Sequence, residues 1–544
     1  MSRFTRIMAL VLVACCVDPV RIAADETASR HPYTQPHVLR FAAGSDIASL
    51  NPLIDDSQYE MYLAELTMAF LIKSDEHGNP VPELITEVPT QKNGGISPDG
   101  RTITWHLRKG VVWSDGVPFT ADDVVFSTQQ VLNPANDVPS RDGWNLITKI
   151  DEPNKYTVVY HLQKAYGAYA VTFFSDIGAG PAVMPKHILS GLANLNQAPY
   201  NALPVGIGPF KYLSWNRGQD VRMVANDTYF RGRPKLDEIV FSVIQDDNTV
   251  LEQMRTHELD LWIPVPPHYK SDVRSIPGVT VRTYPAYVYD HLDFNLSHPV
   301  VSDIAVRTAL RYATNRKALN DTIDYGAYDL SESVLPLASD LYDHSIKLVP
   351  FDLAKANVIL DKAGWRRGPD GVRVKNGLRL SIDFATATGV PSSDEKIELI
   401  RSWWQQIGVE IVVHHYLDSL FFAPEQEGGI IYGGKFDVVA FGWGVDPNAD
   451  LANPYSCDRI PPNGQNDSRY CNKAVTASIA KAELMYDREQ RRPLMNFQQE
   501  QIFKDVPVIT LDSRREVYAF NDDLKNFHPE YSNAPFDQIM NVDI

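Results

Sequence analysis

Between Leu378 and Tyr416 the spacing of apolar residues changes twice, and that change limits the fold more than any other stretch of the chain. Leu378, Leu380, Ile382 and Phe384 alternate as a strand. Ile397, Ile400, Trp404 and Ile407 then recur at helical spacing, with Ser393 placed as the cap and Gly408 as the stop. Val409 to Tyr416 returns to a strand. That is a β-α-β unit, whose strands lie parallel and whose crossover is right-handed. Phe436 to Phe441, an apolar run interrupted by one Asp, extends the same sheet as a strand covered on both faces. It breaks at Gly442-Trp443-Gly444, so Trp443 and Asp446 are expected just past the strand's carboxyl end, where open sheets of this kind bind ligands. An aromatic platform three residues from a carboxylate suits a ligand with both an apolar surface and a cation. A loop holding a buried Trp and an ordinary turn Asp accounts for the same residues.

The chain's 544 residues exceed what one core usually supports, so two or three lobes are expected. A first strand over Val38 to Ala43 precedes a helix from about Tyr59 to Phe70. Residues 80 to 170 read as strands and hairpins. Ser97-Pro98-Asp99-Gly100 is a turn, and Thr102 to Arg108 alternates around Ile103, Trp105 and Leu107. Thr120 is placed to cap a helix whose third residue is Asp123. Val306, Ala309, Leu310 and Ala313 mark a helix from Ser302, and Asp352 caps another that stops at Gly364.

Arg3, Arg6, the apolar run Ile7 to Val17 and the small residues before Asp25 read as an export signal, residues 1 to 24. Two cleavages compete: one after Ala24, and one before Cys15, where Leu12-Val13-Ala14-Cys15 resembles a bacterial lipoprotein box whose cysteine is lipidated. A buried first strand or helix is the third reading. In an oxidising compartment Cys457 and Cys471 are most simply a disulfide, because no CxxC or spaced His accompanies them as a metal site.

A net charge of −17 without a Lys/Arg-rich run argues against a nucleic-acid partner. No metal or cofactor is called for. Gly206-Ile207-Gly208-Pro209 lacks the phosphate-loop pattern, Gly-x-Ser-x-Gly is absent, and no carboxylate pair is marked as a glycosidase acid and base. His414 and His415 adjoin on a strand and point to opposite faces, which makes a poor metal pair; one is expected packed and one wet.

DGRTITWHLRKGVVWSDGVPFTADDVVFS, from Asp99 to Ser127, resembles the signature region of extracytoplasmic solute-binding proteins of bacterial ABC importers, family 5, the oligopeptide, dipeptide and nickel-binding type. The resemblance continues in PVGIGPF (204 to 210), NDTYFRGRP (226 to 234), Ile239 to Leu261, Leu292 to Asn295 and Asp303 to Asn315, and so covers residues 38 to 530. It implies a bilobal α/β periplasmic-binding-protein fold of type II, cluster C, with an extra inserted, mainly β subdomain. The implied division is lobe I from 38 to 60, 205 to 285 and 507 to 544; the insertion from 61 to 204; and lobe II from 286 to 506. The implied function is capture of a small peptide without turnover, as a monomer in the periplasm that delivers it to a membrane permease. The same fold binding a nickel chelate, an opine-like conjugate or a sugar is the alternative within the class, and a secreted hydrolase is the alternative outside it. Family members meet a peptide's α-amino group with a carboxylate in a W-x-x-D arrangement, which Trp443-Gly444-Val445-Asp446 matches. Relatives follow this Asp with an acidic-Pro pair, whereas this chain has Pro447-Asn448-Ala449-Asp450. Gln58 and Tyr59 lie where the family's first lobe touches ligand backbone. No partner for a peptide carboxylate is assigned: Arg373, Lys375 and Arg401 are equally well explained as solvated surface.

Overall fold

A single mixed sheet of ten strands runs through the computed structural model, which describes residues 30–75, 79–177, 180–389, 391–529 and 535–544. The export signal, its two cleavage sites and Cys15 lie outside these residues. In chain order the strands are β1 (Val38–Ala43), β2 (Phe210–Asn216), β3 (Asp220–Ala225), β4 (Glu238–Val243), β5 (Leu261–Val265), β6 (Val279–Phe294), β7 (Ser381–Ala387), β8 (Glu410–Tyr416), β9 (Val438–Gly444) and β10 (Val508–Asn521). Their spatial order is β8-β7-β9-β6-β10-β5-β1-β4-β3-β2.

The two long antiparallel strands β6 and β10 hold the halves of this sheet together. The first part of β6, Val279 to Pro285, pairs with Arg515 to Asn521; its second part, Tyr289 to Asp293, pairs with Val508 to Ser513. The register shifts between Pro285 and Tyr289. On one side of that break β5 and β1 continue the sheet, and on the other side β9 does. Each half packs its own core. One gathers Phe41, Tyr62, Trp105 and Phe173, so residues of the 61–204 region share a core with β1. The other gathers Leu310, Ile382, Trp404 and Val438. Within residues 61–204 a three-stranded antiparallel sheet (Thr102–His106, Thr157–Leu162, Ile147–Asn154) packs beside the helix Ala121–Leu132, which Thr120 and Asp123 close with a capping box.

The β-α-β unit forms: β7 and β8 pair in parallel from Ser381↔Glu410 to Ala387↔Tyr416, around the helix Pro391–Gln406, while Leu378, expected in the first strand, lies in a separate short strand, Leu378–Arg379, that pairs with Arg373–Lys375. Ser393 falls inside the first turn instead of capping it, since the helix begins at Pro391, a residue suited to a first turn. The Asp in the apolar run is Asp437, whose carboxylate accepts from the amide of Asp383 at 2.8 Å and meets His298 Nδ1 at 2.8 Å. His414 and His415 both lie in solvent on the edge strand β8, beside Asp383 and Asp394, so neither is packed. Arg373 is not surface but buried at 2% exposure. Its guanidinium meets the side chains of Asp361 and Asn357 and the carbonyls of Trp365 and Ile407, all within 2.7 Å.

Candidate functional site

Trp443 sits inside β9, not beyond it, because β6 supplies a partner for every residue up to Gly444; Tyr289 lies opposite Trp443 and Val288 opposite Gly444. These ladder bonds outweigh the poor strand propensity of the two glycines. On its other side β9 pairs with β7 only at Val438 and Val439. Among the described strands none pairs with that side of residues 440–444, so the edge there is open.

Past Gly444 the chain turns sharply. The amide of Val445 still donates to the carbonyl of Tyr287 at 2.7 Å, and the amide of Ala449 to the carbonyl of Asp446 at 2.8 Å. Ala449 is buried in the left-handed region at φ +60°, a strained position for a residue with a Cβ. Arg491, from the helix Arg488–Asp505, fixes the loop by donating to both the side chain and the carbonyl of Asn448. The Pro447-Asn448-Ala449-Asp450 sequence thus has its own support, built from the helix Arg488–Asp505.

The turn leaves Asp446 on the wall of a cavity of about 330 Å³, within the size range of small-molecule sites. Trp443, Gly444, Val445 and Asp450 share that wall, and Trp144 and Tyr166 of the 61–204 region face it. Among the described lining residues there are carboxylates at Asp56, Asp142, Asp446 and Asp450 and no Lys, Arg or His. Asp446 Oδ1 accepts from the amide of Asn448 at 2.7 Å. Asp446 is half-buried on that wall. Burial, and next the charge of Asp450, push its pKa up to about 6 against the Asn448 amide and Arg491. Asp450 is pushed up as well, by burial first.

Trp443, Gly444 and Asp446 therefore share one cavity. Gln58 and Tyr59 do not line it: the Gln58 amide donates to Tyr62 Oη at 2.8 Å and reaches Glu516 at 3.4 Å, and Tyr59 Oη accepts from the amide of Gly44 at 3.1 Å. Asp142, Trp144 and Tyr166 were not legible as site residues, because they reach the cavity only through pairing of distant segments. Cys457 and Cys471 form a disulfide with Cα atoms 4.5 Å apart, closing the loop that carries Gln465 of the cavity wall. No group of three or more His, Cys, Asp or Glu residues placed to hold a metal occurs among the described residues.

Residues 79–461 match the family model described as bacterial extracellular solute-binding proteins, family 5 middle. The oligopeptide-binding protein AppA of Bacillus subtilis is 25% identical over 492 residues, spanning 88% of this chain and 87% of AppA. The solved structure of that AppA with a nonapeptide superposes with a TM-score of 0.75 at 22% identity, covering 93% of this chain and 99% of AppA. NikZ of Campylobacter jejuni in complex with Ni(L-His) superposes with a TM-score of 0.77 at 22% identity, covering 94% of this chain and 100% of NikZ. The bilobal α/β fold is common to all three.

Proposed function

We propose, on the premise that the chain belongs to the bacterial extracellular solute-binding proteins of family 5, that it captures a small peptide and delivers it to the permease of an ABC importer. The observation that carries this reading is the position of Asp446 at the end of the open edge of β9, in a cavity whose described lining holds carboxylates and no basic side chain. An extended peptide can pair with an open edge through its main chain, whatever its side chains. Its α-amino group then meets Asp446 in a site shielded from bulk water, where a charged hydrogen bond is strong. Trp443 offers an apolar face beside that contact. The relatives named oligopeptide-binding and dipeptide-binding support a peptide, while a neighbour bound to Ni(L-His) supports a chelated metal as the second reading.

The division into lobe I (38–60, 205–285, 507–544), an insertion (61–204) and lobe II (286–506) belongs to the same reading, as do a monomer exported by an N-terminal signal and then either free after cleavage at Ala24 or anchored by a lipid at Cys15, and binding without turnover or cofactor. Gln58 and Tyr59 are assigned to the lobe I side of the cleft, beside the crossing strands. Among the described residues no helix is long and apolar enough to cross a membrane.

The test is calorimetric titration with free and N-acetylated forms of the same peptides. Asp446→Ala weakens binding of the free amine by about 2 to 5 kcal/mol if the pair is desolvated. Equal affinity of the parent protein for acetylated and free peptide removes Asp446 from the amine role. Steady release of cleavage products would replace capture by hydrolysis.

A further inference from the structure

Ser57 and Glu60 have the spacing of a capping box at the start of the helix Gln58–Thr67, but the box does not form. Asp55 Oδ1 takes the amide of Ser57 at 2.9 Å, which leaves the Glu60 carboxyl free to turn inward. Glu60 is 0% exposed, and neither of its carboxyl oxygens has a hydrogen-bond partner among the described residues. A buried carboxyl in that condition is costly and calls for a partner from outside the chain.

Glu60, Met61, Ala64 and Glu65 turn one face of the helix to a narrow cavity of about 20 Å³, which Asp55, Asp56 and Asp176 also line. Roughly 10 to 15 Å³ suffices for one water, so this cavity admits a single water-sized group. Pro52, Asp56 and Gly180 line both it and the Asp446 cavity, so it adjoins the cleft as a side chamber. Its described lining holds carboxyl groups and no Lys, Arg or His. Glu65 Oε1 and Asp176 Oδ2 are further buried acceptors without a hydrogen-bond partner among the described residues. Those two feel a cation of the protein itself, since the charge of Lys73 opposes the effect of burial on both. Glu60 has no such support: burial, and then the charges of Asp55 and Asp56, push its carboxyl well above the usual range, and no cation acts against them.

We propose, resting on the peptide reading above, that the side chamber receives the side-chain ammonium of a lysine in the bound peptide, with Glu60 as its carboxylate partner. The site then prefers peptides that carry a primary ammonium besides their α-amine. An ammonium is a compact charge with three donors, whereas a guanidinium is a planar fork that needs more room. A metal ion fits less well, because among the described residues no three or more His, Cys, Asp or Glu side chains are placed to hold one. When the ammonium enters, the Glu60 carboxyl gives its proton to solvent and the cation takes the proton's place. Tyr200 and Tyr212, the phenols that feel the charge of Glu60, are pushed above their ordinary range by burial and stay neutral.

Calorimetry on the intact mature protein, with alanine tripeptides that carry lysine, norleucine or arginine at each position in turn, tests this. At one position lysine should bind at least about tenfold tighter than norleucine, and arginine should gain less than about threefold. Lysine at that position should also release about one proton more than norleucine, read from how the binding heat at pH 7 varies with the ionisation heat of the buffer. Glu60→Gln, which keeps the side chain's shape, should bring the lysine preference below about threefold and abolish the extra proton. Lysine and norleucine binding alike at every position, arginine binding as tightly as lysine, or an extra proton that persists in Glu60→Gln overturns the side chamber, while binding of the all-alanine peptide leaves peptide capture standing. Failure of every peptide to bind overturns both.

Discussion

The hydroxyl of Tyr486 donates to the carbonyl of Gly100 at 2.7 Å and so ties the segment before the helix Arg488–Asp505 to a turn in the 61–204 region. The same hydroxyl accepts from the amide of Tyr166 at 3.1 Å, and the next amide, of Gly167, donates to the carbonyl of Glu483 at 2.7 Å. Tyr166 lines the Asp446 cavity, so this clasp sets one of its walls. The crossing of β6 and β10 is thus not the only bond between the halves.

Removing these hydroxyl contacts should favour a more open cleft. Tyr486→Phe deletes both hydrogen bonds of that hydroxyl, together worth about 2 kcal/mol, and should weaken ligand binding by up to about thirtyfold. Gly100→Ala should do more. Gly100 sits at φ +69°, and a Cβ there would meet the Tyr486 ring and Ala165 at 2.8 Å. Solution scattering of the ligand-free variants, with a radius of gyration above the parent's, is the check. Unchanged scattering together with unchanged affinity would show that the clasp has no part in closure.

Arg373 gives a stability test that is independent of ligand. It is a buried cation whose partners are Asp361, Asn357 and two backbone carbonyls. Arg373→Met leaves those carbonyls without donors and should cost about 3 to 5 kcal/mol. At roughly 2 to 4 °C per kcal/mol for a lobe of this size, the melting temperature should fall by about 10 °C. Arg373→Lys, which reaches fewer of the acceptors, should recover only part of the loss. A melting temperature within 2 °C of the parent's in Arg373→Met would contradict a structural role.

The difference between Arg373 and the β-α-β unit marks what sequence could reveal. Period two, then 3.6, then two is a local pattern, and it placed most of β7, the helix Pro391–Gln406 and β8 without any tertiary information. Asp446 followed, because the carboxyl edge of such a sheet is a topological consequence. Arg373 did not, since only the folding of residues 357–408 around it makes a long cation into core. Trp443 was expected beyond the strand because its glycines weaken strand propensity. Its actual place in β9 depends on β6, whose partnering residues lie some 150 positions earlier in the chain. The walls supplied by Asp142 and Tyr166, and the side chamber that Glu60 shares with Asp176, are long-range assemblies of the same kind.

The pKa of Asp446, held at about 6, makes ligand binding and ligand-free stability depend on pH in opposite directions. An ammonium group needs the ionised carboxylate, so affinity for a free-amine peptide should be level above pH 7 and fall toward about tenfold per unit below pH 6. In the absence of ligand, the folded protein holds this proton more tightly than the unfolded chain, whose Asp titrates near 3.9. The resulting stabilisation is fully present below about pH 4 and is lost as the pH rises through 6. Asp446→Asn removes that group's cost and should raise the ligand-free melting temperature at pH 7.5 while changing it little at pH 4. The same variant should bind the peptide weakly at every pH, with the slope below pH 6 gone. Calorimetric titrations between pH 5 and pH 8, run beside melting curves of parent and variant, separate the two effects; an affinity profile that stays flat in the parent would place the amine on some other group.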